Sequence, residues 1–311
     1  MKVIAYRGVD KTVPENTLQA FREAILEGAE VIQLDVHFSR DRKLVVFHDD
    51  SESRMIEGVG FVRHHTLDEL QSYAFKNFSK SDIHIPSLEE YLEWAKDLPH
   101  QTIIHLKNNH FLYPGMEEAV YRMVEAFDLL DRVVIASSRT SSLRILRNLN
   151  PDLALARMCD ILEENFSEQI DELELQAVIA NRMILTQSFV DQLHDHHLAL
   201  WTYVVNDQAS LDRVQSFGAE GVLTRDVAHI RKLLGEANPY DKGVLAQAKD
   251  IENEEEVSVI TNGRVRFQLG KKKKQKSKGG FLGIVLSMIV SIGASALAAF
   301  LVMKLVGRFL K

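Results

Sequence analysis

The 311-residue chain has one cysteine, Cys159, which excludes a disulfide framework and fits a reducing compartment. It shows no charged-then-apolar leader. Lys2–Tyr6 reads as a strand from the outset, so no cleaved secretory signal is expected. No GxGxxG turn follows an apolar run, which counts against a dinucleotide-binding sheet. Acidic side chains are missing from residues 271–311, which carry nine Lys and Arg. The other 270 residues then hold 28 basic against 44 acidic side chains, a net charge of −16. A body that acidic is repelled by a phosphate backbone, so nucleic acid is not an expected partner.

What is present is enough for a large core. Hydrophobic residues make up 46% of the chain, and the length allows one α/β domain with an appendage. Apolar strand candidates begin at Val3, Val31, Leu44, Thr102, Val133, Leu153, Ala177, Leu198 and Gly221. Helical patterns separate most of them, among them Thr17–Glu27, Ser87–Trp94, Met116–Phe127, Ser141–Arg147, Gln208–Phe217 and Val227–Leu234. Alternation of this kind implies parallel strands covered by helices. Ser39–Lys43 is too short for a crossover helix, so the run at Leu44 must return antiparallel to Val31–Phe38. Removing that return leaves eight strands, the number of a (β/α)8 TIM barrel over residues 1–235. An open doubly wound sheet is the competing fold.

Beyond Gly235 the pattern breaks into an expected linker over 236–280. Within it Val257–Ile260 and Val265–Leu269 flank Thr261-Asn262-Gly263-Arg264, a hairpin signal across 257–269. A lysine-rich run, Lys271–Lys278, follows. Phe281–Met303 has no charged residue; at ~1.5 Å per residue it spans about 34 Å, enough to cross a bilayer core. One C-terminal transmembrane helix is therefore expected over 281–303, with a short basic tail at 304–311. The lysines before the span place the barrel on the cytoplasmic side of a cell membrane and attract anionic headgroups. Gly283, Ser287, Ser291, Ser295 and Ala299 recur every four residues, a stripe through which two spans could pair as a homodimer.

The chemistry concentrates in Val31–Asp50. In its first run Gln33, Asp35 and His37 share one side of a strand, and the hairpin carries His48 back toward them. Tyr6-Arg7-Gly8 and His105-Leu106-Lys107 would end at the same rim, where sites on this fold are built. Taken together, Tyr6-Arg7-Gly8, Pro14-Glu15-Asn16-Thr17, Gln33-Leu34-Asp35-Val36, His48-Asp49, Ile85-Pro86-Ser87-Leu88-Glu89-Glu90 and His105-Leu106-Lys107 resemble the motif series of the glycerophosphodiester phosphodiesterase family. Trp201-Thr202 through Asn206-Asp207 and Gly221-Val222-Leu223-Thr224 resemble its last two strands, with Arg225 a departure. The resemblance covers roughly residues 3–235.

It implies a divalent cation, Mg or Ca, held by carboxylates at the positions of Gln33, Asp35 and His105. It also implies acid–base histidines at Tyr6 and His48, and phosphate held by Arg7 and Lys107. Here Tyr6 replaces a histidine, and Gln33 and His105 replace carboxylates. Hard cations want charged oxygens, imidazole suits softer metals, and a tyrosine is a poor base near neutral pH. Trp201 could stack on a headgroup or fill the barrel. Glu15 reads as structural, with Asn16 or Thr17 capping a helix. His194-Asp195-His196-His197 falls on the opposite rim and reads as a solvated turn, and His64-His65 as loop.

Three functions follow. One is a membrane-anchored pseudoenzyme holding a phosphodiester or phospholipid headgroup, or a partner. Another is an active phosphoric diester hydrolase, releasing glycerol 3-phosphate with altered or no metal. The third is an oligomerising membrane scaffold.

Overall fold

The computed structural model describes residues 1–78, 83–161, 166 and 172–250. Eight parallel strands close on themselves in the order β1 (Lys2–Tyr6), β2 (Val31–Phe38), β4 (Gln101–Leu106), β5 (Val133–Ser137), β6 (Leu155–Cys159), β7 (Ala177–Asn181), β8 (Ala199–Tyr203) and β9 (Gly221–Thr224). β9 pairs with β1, Leu223 beside Ile4, so the ring leaves no free edge. β3 (Leu44–Val46) returns antiparallel on β2, with Val46 opposite Val36. The barrel and its hairpin are as the alternation implied.

Both faces of each strand are buried, and alternate residues divide between them. On β2, Ile32, Leu34 and Val36 pack under the helices, whereas Val31 joins Ile4, Ile103 and Trp201 in the barrel interior. The pleat therefore turns Gln33, Asp35 and His37 toward the axis near the C-terminal rim. All three are buried.

Several motif residues hold this geometry rather than perform chemistry. Thr17 caps the helix Leu18–Glu27 by accepting from the Ala20 N–H. Ser87 and Glu90 form a capping box on Leu88–Ala95. Gly8 has φ +82°, and a Cβ there would lie 2.7 Å from the Ala20 backbone, so the first strand can turn only with glycine. Residues between β3 and that capped helix build a third apolar cluster, including Phe47, Ile56, Val62, Leu70 and Ile85.

The linker expected to start at residue 236 does not. Asn238 Nδ2 donates to the Leu26 carbonyl at 2.8 Å and the Tyr240 hydroxyl to that of Ala29 at 2.7 Å. A helix, Lys242–Asp250, follows, and Gln247 Nε2 reaches the Asp97 carbonyl. Asp241 starts that helix, its Oδ1 accepting from the N–H groups of Gly243 and Val244. Among the described residues no helix is long and apolar enough to cross a membrane. The 257–269 hairpin, the lysine run 271–278, the 281–303 span with its small-residue stripe and the tail 304–311 lie outside the described residues.

Candidate functional site

Asp35 is the centre of the barrel mouth, and both of its oxygens are engaged. Its Oδ1 accepts from Gln33 Nε2 at 3.3 Å and pairs with His105 Nδ1 at 2.8 Å. Its Oδ2 lies 3.1 Å from Arg7 Nε and accepts from Asn16 Nδ2 at 3.2 Å. Asn16 Oδ1 accepts from the Asp35 backbone N–H at 3.3 Å in return. Burial would raise this carboxyl, but Arg7, the His105 hydrogen bond, His48 and Lys107 outweigh it and hold it well below the usual range. Burial lowers His105, with the Asp35 bond opposing, so its imidazole is neutral and donates from Nδ1.

Around this pair the charges answer one another. Arg7 Nη1 meets Glu15 at 3.2 Å and Nη2 donates to the Tyr6 hydroxyl. Arg54 bridges Glu15 and Asp49. Arg225, a departure from the family pattern, pairs with Asp10 at 3.1 Å and reaches Glu15 at 3.7 Å. Lys107 is different. Among the described residues it makes no ion pair, and its ammonium lies 3.3 Å from His48 Nε2. Asp49 Oδ1 sits 2.6 Å from His48 Nδ1, which orients the ring with Nε2 toward Lys107.

Tyr6 stands at the first-strand position, stacked on Tyr203 with ring centroids 5.8 Å apart. Burial pushes its hydroxyl up to about 12, with Asp35 adding to the rise and Arg7 opposing. It stays protonated at neutral pH and cannot take a proton.

The implied hard cation does not fit this donor set. Asp35 Oδ1 already takes two hydrogen bonds and Oδ2 one, with the Arg7 guanidinium beside it, and Glu15 is taken by arginines. Among the described residues no group of three or more His, Cys, Asp or Glu could hold a metal. Gln33 Oε1 and His105 Nε2 are buried acceptors with no hydrogen-bond partner. They are neutral, and suit a hydroxyl donor better than a hard dication.

The mouth thus assembles Tyr6, Arg7, Gln33, Asp35, His48, His105 and Lys107. Trp201 is not among them. Its ring lies under Lys2, 5.7 Å from the ammonium, and beside Gly221, at the starts of β1 and β9. Tyr203, two residues further along the same inward face of β8, takes the place nearer the mouth. Glu15 and Asn16 are part of the site besides their structural roles. His194 lies near Gly218 on the far rim, and His64 ends a short 3-10 turn.

Two buried histidines give a pH prediction. Burial lowers His37, between Tyr113 and the His48 carbonyl, to about 4, and His100, beneath Tyr91, to about 3. A histidine with a depressed folded value stabilises fully above its unfolded value of about 6.5 and loses that stability as pH falls below it. Each should lose roughly 2–3 kcal/mol between pH 7.5 and 4.5. The urea midpoint should drop across that window, and His100→Phe should flatten the slope. A pH-independent midpoint would refute the neutral-histidine assignment.

Comparison with known proteins places this geometry. The model of the Glycerophosphoryl diester phosphodiesterase family matches residues 7–229. A glycerophosphodiester phosphodiesterase of Bacillus altitudinis is 32% identical over 235 residues, 72% of this chain and 94% of that protein. One from Caldanaerobacter subterraneus is 31% identical over 230 residues, covering 72% and 93%. Among solved structures, an Oleispira antarctica phosphodiesterase in complex with the product sn-glycerol-3-phosphate superimposes with a TM-score of 0.67 at 22% identity, covering 76% of this chain and 97% of that one.

Proposed function

The chain belongs to the glycerophosphoryl diester phosphodiesterase family, and on that premise we propose that it is a membrane-anchored member that holds a phosphorylated glycerol headgroup without efficient turnover. The observation that carries this is the occupation of both Asp35 oxygens by hydrogen bonds from Asn16, Gln33 and His105, with the Arg7 guanidinium paired beside them. In this reading Lys107, which meets no carboxylate among the described residues, binds the phosphate oxygens, aided by the N–H groups of Arg7 not used in ion pairs. Glycerol hydroxyls donate to Gln33 Oε1 and His105 Nε2, which answers the two orphaned acceptors. The relatives named above as phosphodiesterases, and the product held in the Oleispira structure, support the ligand class.

Turnover is weak for a chemical reason. His48, oriented by Asp49, can give or take one proton. The second acid–base group is Tyr6, which stays protonated, and losing such a partner typically forfeits ~10²–10⁴-fold in rate. The 23-residue uncharged run 281–303 supplies the anchor, the lysine run 271–278 keeps the barrel on the cytoplasmic face, and the stripe from Gly283 to Ala299 pairs two copies. The retained His48–Asp49 pair is what favours the second reading, an active diester hydrolase. The full-length protein, assayed with glycerophosphodiesters in Mg2+, Ca2+, Mn2+ and Zn2+, decides between them. Hydrolysis is expected to stay near background and to be unchanged by His48→Ala. Clear turnover abolished by His48→Ala would establish the hydrolase.

A further inference from the structure

Large apolar side chains are left exposed at few places among the described residues, and their distribution is uneven. Val59 (90% exposed), Phe61 (40%) and Leu112 (66%) come from loops that follow β3 and β4. Ile161 (71%) and Met183 (65%) follow β6 and β7. Leu112, Ile161 and Met183 follow strands of the parallel ring and so lie on the C-terminal rim around the mouth, and the excursion after β3 that carries Val59 and Phe61 packs on the loop after β4 there, with Phe61 against Phe111 and Asp50 against His110. Ile145, on the helix Thr140–Leu149, is the exception.

The Val59 side of the rim is also basic. Arg42 lies with its guanidinium carbon 4.7 Å from the Phe38 ring centroid and donates to the Pro114 carbonyl. Arg63 lies 4.2 Å over Phe111, which contacts Phe61 edge-on. Stacking fixes both guanidinium planes, and neither makes an ion pair among the described residues. Of the nearby acids, Glu69 is engaged by Arg40, Asp50 by His110, and Asp41 by the Ser39 hydroxyl and the Leu67 N–H, while Glu57 stays exposed two residues before Val59. Between the two arginines, Phe38, Leu112 and Tyr113 line a cavity of about 410 Å³. Fixed cations beside exposed apolar tips are the pattern of a surface that meets a bilayer at headgroup depth. On a body of net charge −16 such a patch also sets orientation.

We propose that the barrel mouth docks on an anionic phospholipid bilayer through this rim, with Val59, Phe61 and Leu112 entering the headgroup layer and Arg42 and Arg63 binding lipid phosphates. The site then opens toward the membrane, and its ligand arrives as a lipid-derived headgroup. The inference borrows from the membrane-anchored reading only the nearness of a bilayer.

The test uses the full chain with an environment-sensitive dye at Val59→Cys, Cys159 being buried, and a matched protein labelled at Ile145→Cys. Both are incorporated into vesicles of phosphatidylcholine alone or with phosphatidylglycerol. The dye at residue 59 should shift to the blue and be quenched by a lipid-borne quencher only in the anionic vesicles, and the dye at 145 should not. Each arginine near an anionic surface is worth about fivefold, so Arg42→Ala with Arg63→Ala should lower the docked population by up to about thirtyfold. Molar salt should do the same. Phe61→Ser with Leu112→Ser should abolish the blue shift at unchanged charge. An unshifted dye at 59, an equal shift at 145, or a shift that follows protein concentration instead of lipid charge would overturn the proposal. If the protein fails to incorporate, the anchor is refuted. Labelled protein added from solution then reports rim contact alone, so the two ideas fail separately.

Discussion

Tyr6→His, Gln33→Glu and His105→Glu, made together, are expected to turn the mouth into a divalent-cation site and to raise glycerophosphodiester hydrolysis by at least about a hundredfold. The register explains why the three must change together. Asp35 and His105 are paired neighbours on β2 and β4, and Gln33 lies two residues before Asp35 on the same inward face. Glutamates at 33 and 105 would remove the two donors that occupy Asp35 Oδ1 and put three carboxylates around one point. A histidine at 6 would supply the acid–base partner that Tyr6, with its hydroxyl pushed up to about 12, cannot be. The double change at 33 and 105 should bind Mg2+ or Ca2+ by calorimetry yet gain little rate, and Tyr6→His alone should gain neither. Absence of a binding heat in the triple variant, with its fold intact by circular dichroism, would show that the eroded positions are not the cause.

Asp35→Ala is expected to cost about 3–5 kcal/mol, the range for stripping one partner from a buried ion pair. For a domain of this size that corresponds to a melting temperature lower by roughly 10 °C. Arg7 is buried and its Nε faces Asp35, so the substitution leaves a desolvated guanidinium with Glu15 as its one carboxylate, already shared with Arg54 and Arg225. Arg7→Met in the same molecule should recover part of the loss, because no uncompensated charge then remains. If the double variant is simply the sum of two large losses, the pair is not coupled and the central position of Asp35 falls.

The barrel was legible because its signal is local and repeated. Strand starts and helix caps such as Thr17 and Ser87 are written in adjacent residues, and the short Ser39–Lys43 connection forces the hairpin. The polar phase of Gln33, Asp35 and His37 was readable for the same reason. Distant pairings were not. Nothing in the sequence says that Arg54 closes Glu15 onto Asp49, or that Asn16, readable as a cap, grips Asp35 twice. Tyr203 was missed although it sits two residues after Trp201 on one inward face. Choosing between them needed depth along the strand, which periodicity does not supply. Arg225 was visible as a departure from a pattern, but its reach to Asp10 and Glu15 depends on closure of the ring between β9 and β1. The helix Lys242–Asp250 was hidden because its opening Asp241-Lys242-Gly243 reads equally as a turn.

The most direct measurement is a calorimetric titration of glycerol 3-phosphate into the full-length protein, first with EDTA and then with Mg2+ or Ca2+. A mouth neutralised from within, with Lys107 left to meet the phosphate, predicts equal affinity in both, and at least about tenfold weaker binding for Lys107→Met. Binding that vanishes in EDTA and returns with Mg2+ or Ca2+ would contradict it.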